Sequence, residues 1–342
     1  MRAFITGVAG PELTGEERQF LGDAQPWGLI VFKRNVAGAE ALRRLISEFR
    51  SVVGREAPVL IDQEGGRVQR LRPPDWPHYP PGAAYGALYD RDRKAGLAAA
   101  RLGARLIAAD LAALGIDVDC LPIADVPVAG ADPVVGDRAY GTNPDKVAAI
   151  AAAIARGLGE GGVLPVLKHI PGHGRATADS HQALPVVIAD RATLDTTDFA
   201  AFRPLAALPL AMTAHVVFSA IDPGAPATTS VTIVRDVIRD SIGFKGLLMS
   251  DDISMGALSG SLGERTRAAI AAGCDMVLHC NGDMSEMLAV AAAAPLLAGE
   301  AGRRAAAALA AKRPPAPIDL AEGRVKFASL MADAWQPARE SA

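Results

Sequence analysis

The stretch KHIPGHGRATADSHQ, residues 168–182, holds three of the chain's six histidines, His169, His173 and His181, together with Lys168 and Asp179. Such a density of titratable groups suits metal ligation, anion binding or proton transfer. A metal held by His169 and His173 would need both on one helical face, and Ile170-Pro171-Gly172 between them opposes a helix. A zinc site gathered from separate strands, with His169, His215 and Asp251 as ligands, stays open. A phosphate cradle is the weaker reading, because PGHGRAT lacks the glycine-lysine-serine/threonine ending and leads into no evident helix. Proton transfer fits the end of the stretch. Asp179 and His181 flank Ser180, and in an extended chain residues two apart project to the same side. A carboxylate there fixes the imidazole's tautomer and raises its pKa. An Asp-Ser-His turn that merely folds on itself has the same spelling.

A partner for that histidine stands in GFKGLLMSDDISMGAL, where an apolar run ends at Ser250, Asp251 and Asp252. Asp252 is well placed to cap the following turn, which leaves Asp251 at the strand end. A carboxylate nucleophile plus a separate proton donor is the equipment of a retaining glycosidase.

The elements that must position these groups are short apolar runs alternating with amphipathic stretches. AFIT near the start, GLIVF (28–32), PVLI (58–61), IDVDCLPIADV (116–126), VLPVL (163–167), LPLAMTAHVVF (208–218), GLLM (246–249) and DMVLHC (275–280) are the candidate strands. Between them, Leu42, Leu45, Ile46, Phe49 and Val53 recur at helical spacing, as do Leu102, Leu106, Ile107, Leu111 and Leu114. Asn143-Pro144-Asp145 reads as a helix start, and TTSVTIVRDVIRDSIG as a helix opened by capping hydroxyls and stopped at Gly243. Continuous apolar strands alternating with helices predict a parallel sheet covered on its faces, and about eight such units predict one closed (β/α)8 barrel of the TIM type. A doubly wound sheet is the competitor, but GVAGPE after the first strand supplies no dinucleotide turn. The expected organisation is one catalytic barrel domain over residues 1–342, with an alanine- and proline-rich helical tail from about residue 300. The proline-rich segment 72–86 reads equally as a lid or as a rigid loop. Barrel catalysis takes place at the carboxyl ends of the strands, where Asp62, Lys168, His169, His215 and Asp251 fall.

The bulk numbers narrow the function class. The 342 residues carry 35 Lys and Arg against 38 Asp and Glu, a net charge of −3, so no basic footprint suggests nucleic acid. No run approaches the apolar length of a membrane span, and the N-terminus lacks a signal-peptide pattern. Three cysteines without a CxxC pair suit a reducing compartment. The expectation is a cytoplasmic protein, a monomer, with no membrane or nucleic-acid partner.

Four segments, IDQEGGRVQRL, GDRAYGTNP, KHIPGHGRATADSH and GFKGLLMSDDISMGA, together resemble glycoside hydrolase family 3, and more narrowly its single-domain β-N-acetylhexosaminidase branch of peptidoglycan recycling. The likeness runs from ITGVAGPELTGEE to about residue 285. It implies a barrel without a second sheet domain, no cofactor and no metal. It implies Asp251 as nucleophile and His181 as general acid/base with Asp179 as its dyad partner. Asp62, Arg70, Arg138, Lys168 and His169 match the residues that bind the sugar. His173 is expected to support its loop, and His215 to form a site wall. The implied substrate is a small molecule, GlcNAc linked to 1,6-anhydro-MurNAc with or without its peptide. A histidine acid/base repels phosphate less than a carboxylate does, so a phosphorylase with the same dyad is a rival, as are a metal-dependent barrel hydrolase and a non-catalytic sugar-binding protein.

Overall fold

The computed structural model describes residues 1–180 and 182–335. Each apolar run read from the sequence supplies a barrel strand. They are β1 (Arg2–Thr6), β2 (Pro26–Val31), β3 (Val59–Ile61), β4 (Val118–Asp119), β5 (Leu164–Ile170), β6 (Leu210–Thr213), β7 (Leu247–Asp252) and β8 (Met276–His279). Every neighbouring pair is parallel and follows chain order, and β8 returns to β1 with Phe4 opposite Val277, which closes the barrel. The fold is α/β with one closed eight-stranded parallel barrel.

Because both faces of each strand are covered, the strands read as unbroken apolar runs instead of alternating ones. One set of side chains, including Ile5, Ile30, Leu60, Val166, Met212 and Leu278, fills the barrel interior; a second set packs outward against the helices. Helix Ala39–Val53 shows the outer layer. Leu42, Leu45, Ile46, Phe49 and Val53 are all buried, each worth about 1.5–3 kcal/mol of transfer free energy, and Gly54 ends the helix in the left-handed conformation (φ 66°). Helix Arg93–Ala112 buries Leu106, Ile107 and Leu111, while Leu102 is only partly covered. Asn143 caps Pro144–Glu160 through its side chain, as its sequence context predicts.

Two local expectations become specific. In TTSVTIVRDVIRDSIG the capping hydroxyl is Ser230, whose Oγ accepts from Ile233 N (3.0 Å); Thr228 serves elsewhere. The segment 72–86 divides: residues through Pro81 form a packed loop and Gly82 opens helix Gly82–Arg91. Tyr79 anchors that loop. It is buried, its N–H donates to Gln69 Oε1 (3.0 Å) and its hydroxyl donates to Asp110 (2.6 Å). This is the rigid-loop alternative. The alanine-rich helix Gly299–Ala310 lies across the amino-terminal mouth of the barrel, with Ala305 and Ala308 joined to the interior cluster. Arg304 pairs with Asp275 and Lys312 with Asp117, both carboxylates standing just before a strand begins. Small residues let the helix close the mouth from which the chemistry is absent. Among the described residues no helix is long and apolar enough to cross a membrane.

Candidate active site

The chain leaves β3 at Ile61 and turns into a small hairpin, Gln63–Gly65 against Val68–Gln69. Alternation along this strand places Asp62 and Glu64 on one side and Gln63 on the other. Gln63 locks the hairpin: its Oε1 accepts from the N–H groups of Arg70 (2.9 Å) and Leu71 (3.0 Å), and its Nε2 donates to Leu71 O (3.0 Å). Gly65 (φ 96°) is required here, since a Cβ would lie 2.3 Å from the Pro80 carbonyl oxygen.

Asp62 and Glu64 then organise one wall of the cavity as an alternating chain of charge. Arg70 donates to Asp62 (2.9 Å), and Lys168 Nζ reaches both Asp62 (3.0 Å) and Glu64 (2.7 Å). Arg138, from the turn Gly136–Arg138, grips Glu64 with two bonds of 2.9 and 2.8 Å. Lys168 and Glu64 side chains are only 3% and 4% exposed, so the pairs operate in a poorly solvated medium. Burial alone would raise both carboxyl pKa values. The attraction of Lys168 and Arg70 outweighs it at Asp62, and that of Arg138 and Lys168 holds Glu64 at about 2. Burial likewise opposes the charge on Lys168, and its two carboxylates more than restore it.

Beyond β5, one buried carboxylate orders the histidine-rich stretch. Asp125 Oδ2 accepts from His169 Nδ1 (2.7 Å) and its Oδ1 accepts from His173 N (2.7 Å). The bond at Nδ1 leaves the Nε2 edge of His169 for the cavity. Burial opposes the Asp125 charge, but His169 and His173 hold its pKa at about 2. His173 Nε2 meets Ser180 Oγ at 3.0 Å, which ties the chain beside Asp179 to the barrel. Burial, reinforced by the neighbouring His169, lowers the His173 pKa to about 4, so the ring is neutral near pH 7.

At the end of β7, Asp251 Oδ1 accepts from the N–H of Asp252 (2.8 Å). Burial works against its charge, and the nearby His169, the Asp252 N–H and Lys168 prevail, keeping it ionised below the usual carboxylate range. Asp252, which also borders the cavity, caps the next turn, accepting from Ser254 N (3.0 Å) and Ser254 Oγ (2.7 Å).

These side chains line a cavity of about 290 Å³ that gathers Asp62, Arg70, Arg138, Lys168, His169, His173, Asp179 and Asp251. Ile30, Met212 and Leu278 form its apolar floor, and Phe32 its side, with the Arg34 and Arg70 guanidinium groups 5.0 and 5.1 Å from the ring centre. His181 lies outside the described residues. His215 is not a wall of the cavity: it is fully buried behind Asp251, with Nδ1 on Thr228 Oγ1 (2.7 Å) and Nε2 on Asp252 O (2.9 Å). Both its nitrogens are engaged, so the His169–His215–Asp251 metal set is not assembled. Glu64, Asp125 and Phe32 are the site groups that the sequence reading passed over. The spacing of Glu64 two residues from Asp62 on a strand end was the available signal.

Residues 6–308 match the family model described as the glycosyl hydrolase family 3 N terminal domain. A beta-hexosaminidase of Aromatoleum aromaticum is 40% identical over 278 residues, covering 80% of this chain and 78% of that protein. One from Alkalilimnicola ehrlichii is 41% identical over 283 residues, 81% and 80% of the two chains. Among solved structures, NagZ from Neisseria gonorrhoeae in complex with N-trifluoroacetyl-D-glucosamine aligns over 97% of this chain and 98% of that one, with TM-score 0.80 and 30% identity.

Proposed function

The chain belongs to glycosyl hydrolase family 3, and from that premise we propose that it is a retaining β-N-acetylhexosaminidase whose nucleophile is Asp251. The observation that carries this reading is the placement of an ionised Asp251 at a barrel strand's carboxyl end, in one cavity with Asp179 and the charged wall of Asp62, Lys168 and Arg138. Asp251 attacks the anomeric carbon of a terminal β-linked GlcNAc as the bond to the leaving oxygen breaks. His181, with Asp179 as its partner, gives that oxygen a proton. The same imidazole then takes a proton from water, which releases the sugar from Asp251 with net retention. Asp62 accepts hydrogen bonds from sugar hydroxyls, and Arg70, Arg138, Lys168 and His169 donate to them.

The resemblance to the single-domain branch supplies the finer substrate, GlcNAc joined to 1,6-anhydro-MurNAc or its peptide, in cytoplasmic recycling of cell-wall fragments. We read the chain as one catalytic domain acting as a monomer, with no cofactor or metal. The test is release of an aryl leaving group from β-GlcNAc and from β-glucose, in phosphate-free buffer, with and without EDTA. Hydrolysis selective for GlcNAc and indifferent to EDTA is expected. Activity lost to EDTA overturns the mechanism in favour of a metal hydrolase, and silence until phosphate is added overturns it in favour of a phosphorylase. Binding without turnover in every condition marks a sugar-binding protein.

A further inference from the structure

Behind Asp251, on the side away from the cavity, three buried polar side chains meet without touching the sugar-binding wall. Thr213 ends β6, His215 follows it, and Thr228 sits in the turn Ala227–Thr229; all three are 0% exposed. Thr213 Oγ1 and Thr228 Oγ1 are 2.7 Å apart, and Thr228 Oγ1 lies 2.7 Å from His215 Nδ1. At one end the N–H of Asp251 donates to Thr213 Oγ1 (3.4 Å), and at the other His215 Nε2 lies 2.9 Å from the carbonyl oxygen of Asp252.

Proton counting gives this arc a single direction. A carbonyl oxygen only accepts, so His215 carries its proton on Nε2 and donates to Asp252. Burial pushes the His215 pKa down, which keeps the ring neutral and makes Nδ1 an acceptor. The one hydroxyl proton of Thr228 therefore goes to Nδ1, and Thr213 spends its own on Thr228 Oγ1. The Thr213 oxygen is then free to accept the Asp251 N–H. Thr228 also lies 3.1 Å from the Ala214 carbonyl, but its single proton cannot serve both, and the contact to His215 is shorter.

We propose that Thr213, Thr228 and His215 are positioning residues for the nucleophile, a hydrogen-bonded arc that grips the Asp251–Asp252 backbone at both ends. This rests on the reading of Asp251 as nucleophile. The arc holds the N–H before Asp251 and the carbonyl after the peptide unit whose own N–H donates to Asp251 Oδ1 (2.8 Å). With both flanks fixed, that N–H stays aimed at the carboxylate, and the carboxylate stays aimed across the cavity. Thr228 is the keystone because its hydroxyl joins the two halves of the arc, accepting from Thr213 and donating to His215 Nδ1. Its backbone is secured from behind, where the thiol of Cys274 donates to its carbonyl oxygen at 3.6 Å. A valine at 228 keeps the shape and removes the proton. The imidazole keeps Nε2–H toward the Asp252 carbonyl but loses its donor at Nδ1, and a buried ring with one unsatisfied nitrogen and no tie to Thr213 loosens its hold on the Asp251–Asp252 backbone.

The test compares Thr228→Val, Thr228→Ser and Asp251→Ala on an aryl β-GlcNAc glycoside, with kcat, KM and the inhibition constant of free GlcNAc measured for each folded variant. Thr228→Val is expected to lower kcat by roughly 10- to 100-fold, the scale of a small misplacement of a reacting group, while the GlcNAc inhibition constant stays within about threefold. Thr228→Ser, which restores the hydroxyl, is expected within about threefold of wild type in both. The arc is refuted if folded Thr228→Val keeps kcat within about threefold, if its loss lies wholly in KM, or if the serine variant is as impaired as the valine. Should Thr228→Val not fold, Thr213→Val is read by the same criteria, since it removes the other link at constant shape. Wild-type turnover by Asp251→Ala overturns the nucleophile reading beneath the proposal, whereas a dead Asp251→Ala beside an unimpaired Thr228→Val overturns the arc alone.

Discussion

Replacing Glu64 by glutamine keeps the shape of the side chain and removes the charge that stands between Lys168 and Arg138. The wild-type carboxyl is held from an ordinary 4.5 down to about 2, because its two cations outweigh the burial that opposes its ionisation. A fall of that size corresponds to about 3 kcal/mol favouring the ionised form in the folded protein. Glutamine resembles the protonated acid, so Glu64→Gln should lose about 3 kcal/mol of stability at pH 7, with the two neighbouring cations left undercompensated at 3% and 12% side-chain exposure. The pH dependence has a definite sign. A carboxyl whose folded pKa is depressed contributes its stability above the unfolded pKa, and loses it as pH falls from 4.5 through about 2. Urea unfolding of both proteins at pH 7, 5, 4 and 3 therefore tests the reasoning. The gap should be near 3 kcal/mol at pH 7 and 5 and should have narrowed clearly by pH 3. Equal stability at pH 7, or a gap that stays constant down to pH 3, refutes the account of Glu64 as the ionised link in the wall.

Asp251→Ala should abolish turnover with little change in melting temperature, and wild-type-like activity in the folded variant sinks its assignment as nucleophile. His181→Ala should cripple substrates with poor leaving groups far more than activated aryl glycosides; equal losses on both show that His181 is not the acid. The neutral, buried His173 predicts an acid-sensitive fold. Its pKa is lowered from 6.5 to about 4, so its contribution is complete above 6.5 and is lost as pH falls toward 4, about 3 kcal/mol in all. His173→Gln should flatten this part of the stability-against-pH curve, and an unchanged slope in that variant contradicts the assignment.

The barrel was legible because a parallel strand covered on both faces must be apolar throughout, and eight such runs separated by helical spacing leave few architectures. Asp62, Lys168 and Asp251 were legible for a related reason: each is a charge at the end of an apolar run, where burial without purpose is expensive. Glu64 was harder to see, because its strand is a hairpin appended after β3 and no apolar run announces it. Thr228 was read as one of several capping hydroxyls. Local sequence cannot distinguish a threonine that caps its own helix from one that reaches across to the neighbouring strand ends, and only the barrel's closure brings it beneath His215. His215 was misread as a wall for the same reason: its position at a strand end is local, whereas the direction in which it faces is set by β7 beside it. The alanine-rich tail carried no chemical signal, and its role as the plug of the amino-terminal mouth follows from the size of its residues against the barrel's interior.

The alternating wall also answers a problem of charge. Glycoside cleavage passes through an oxocarbenium-like state, positive at the sugar ring, and a bare group of Arg70, Lys168 and Arg138 would oppose it. Interleaving Asp62 and Glu64 leaves the cations as directional donors to hydroxyls while cancelling most of their field. On this argument the glutamine variant at position 64 carries a second penalty, separate from stability. One more uncancelled positive charge stands beside the ring, and it matters more in the transition state than in the bound ground state. Assayed well below its melting temperature, Glu64→Gln should therefore lower kcat by a larger factor than it raises KM. A change confined to KM would mean that Glu64 only shapes the binding wall and does not tune its charge.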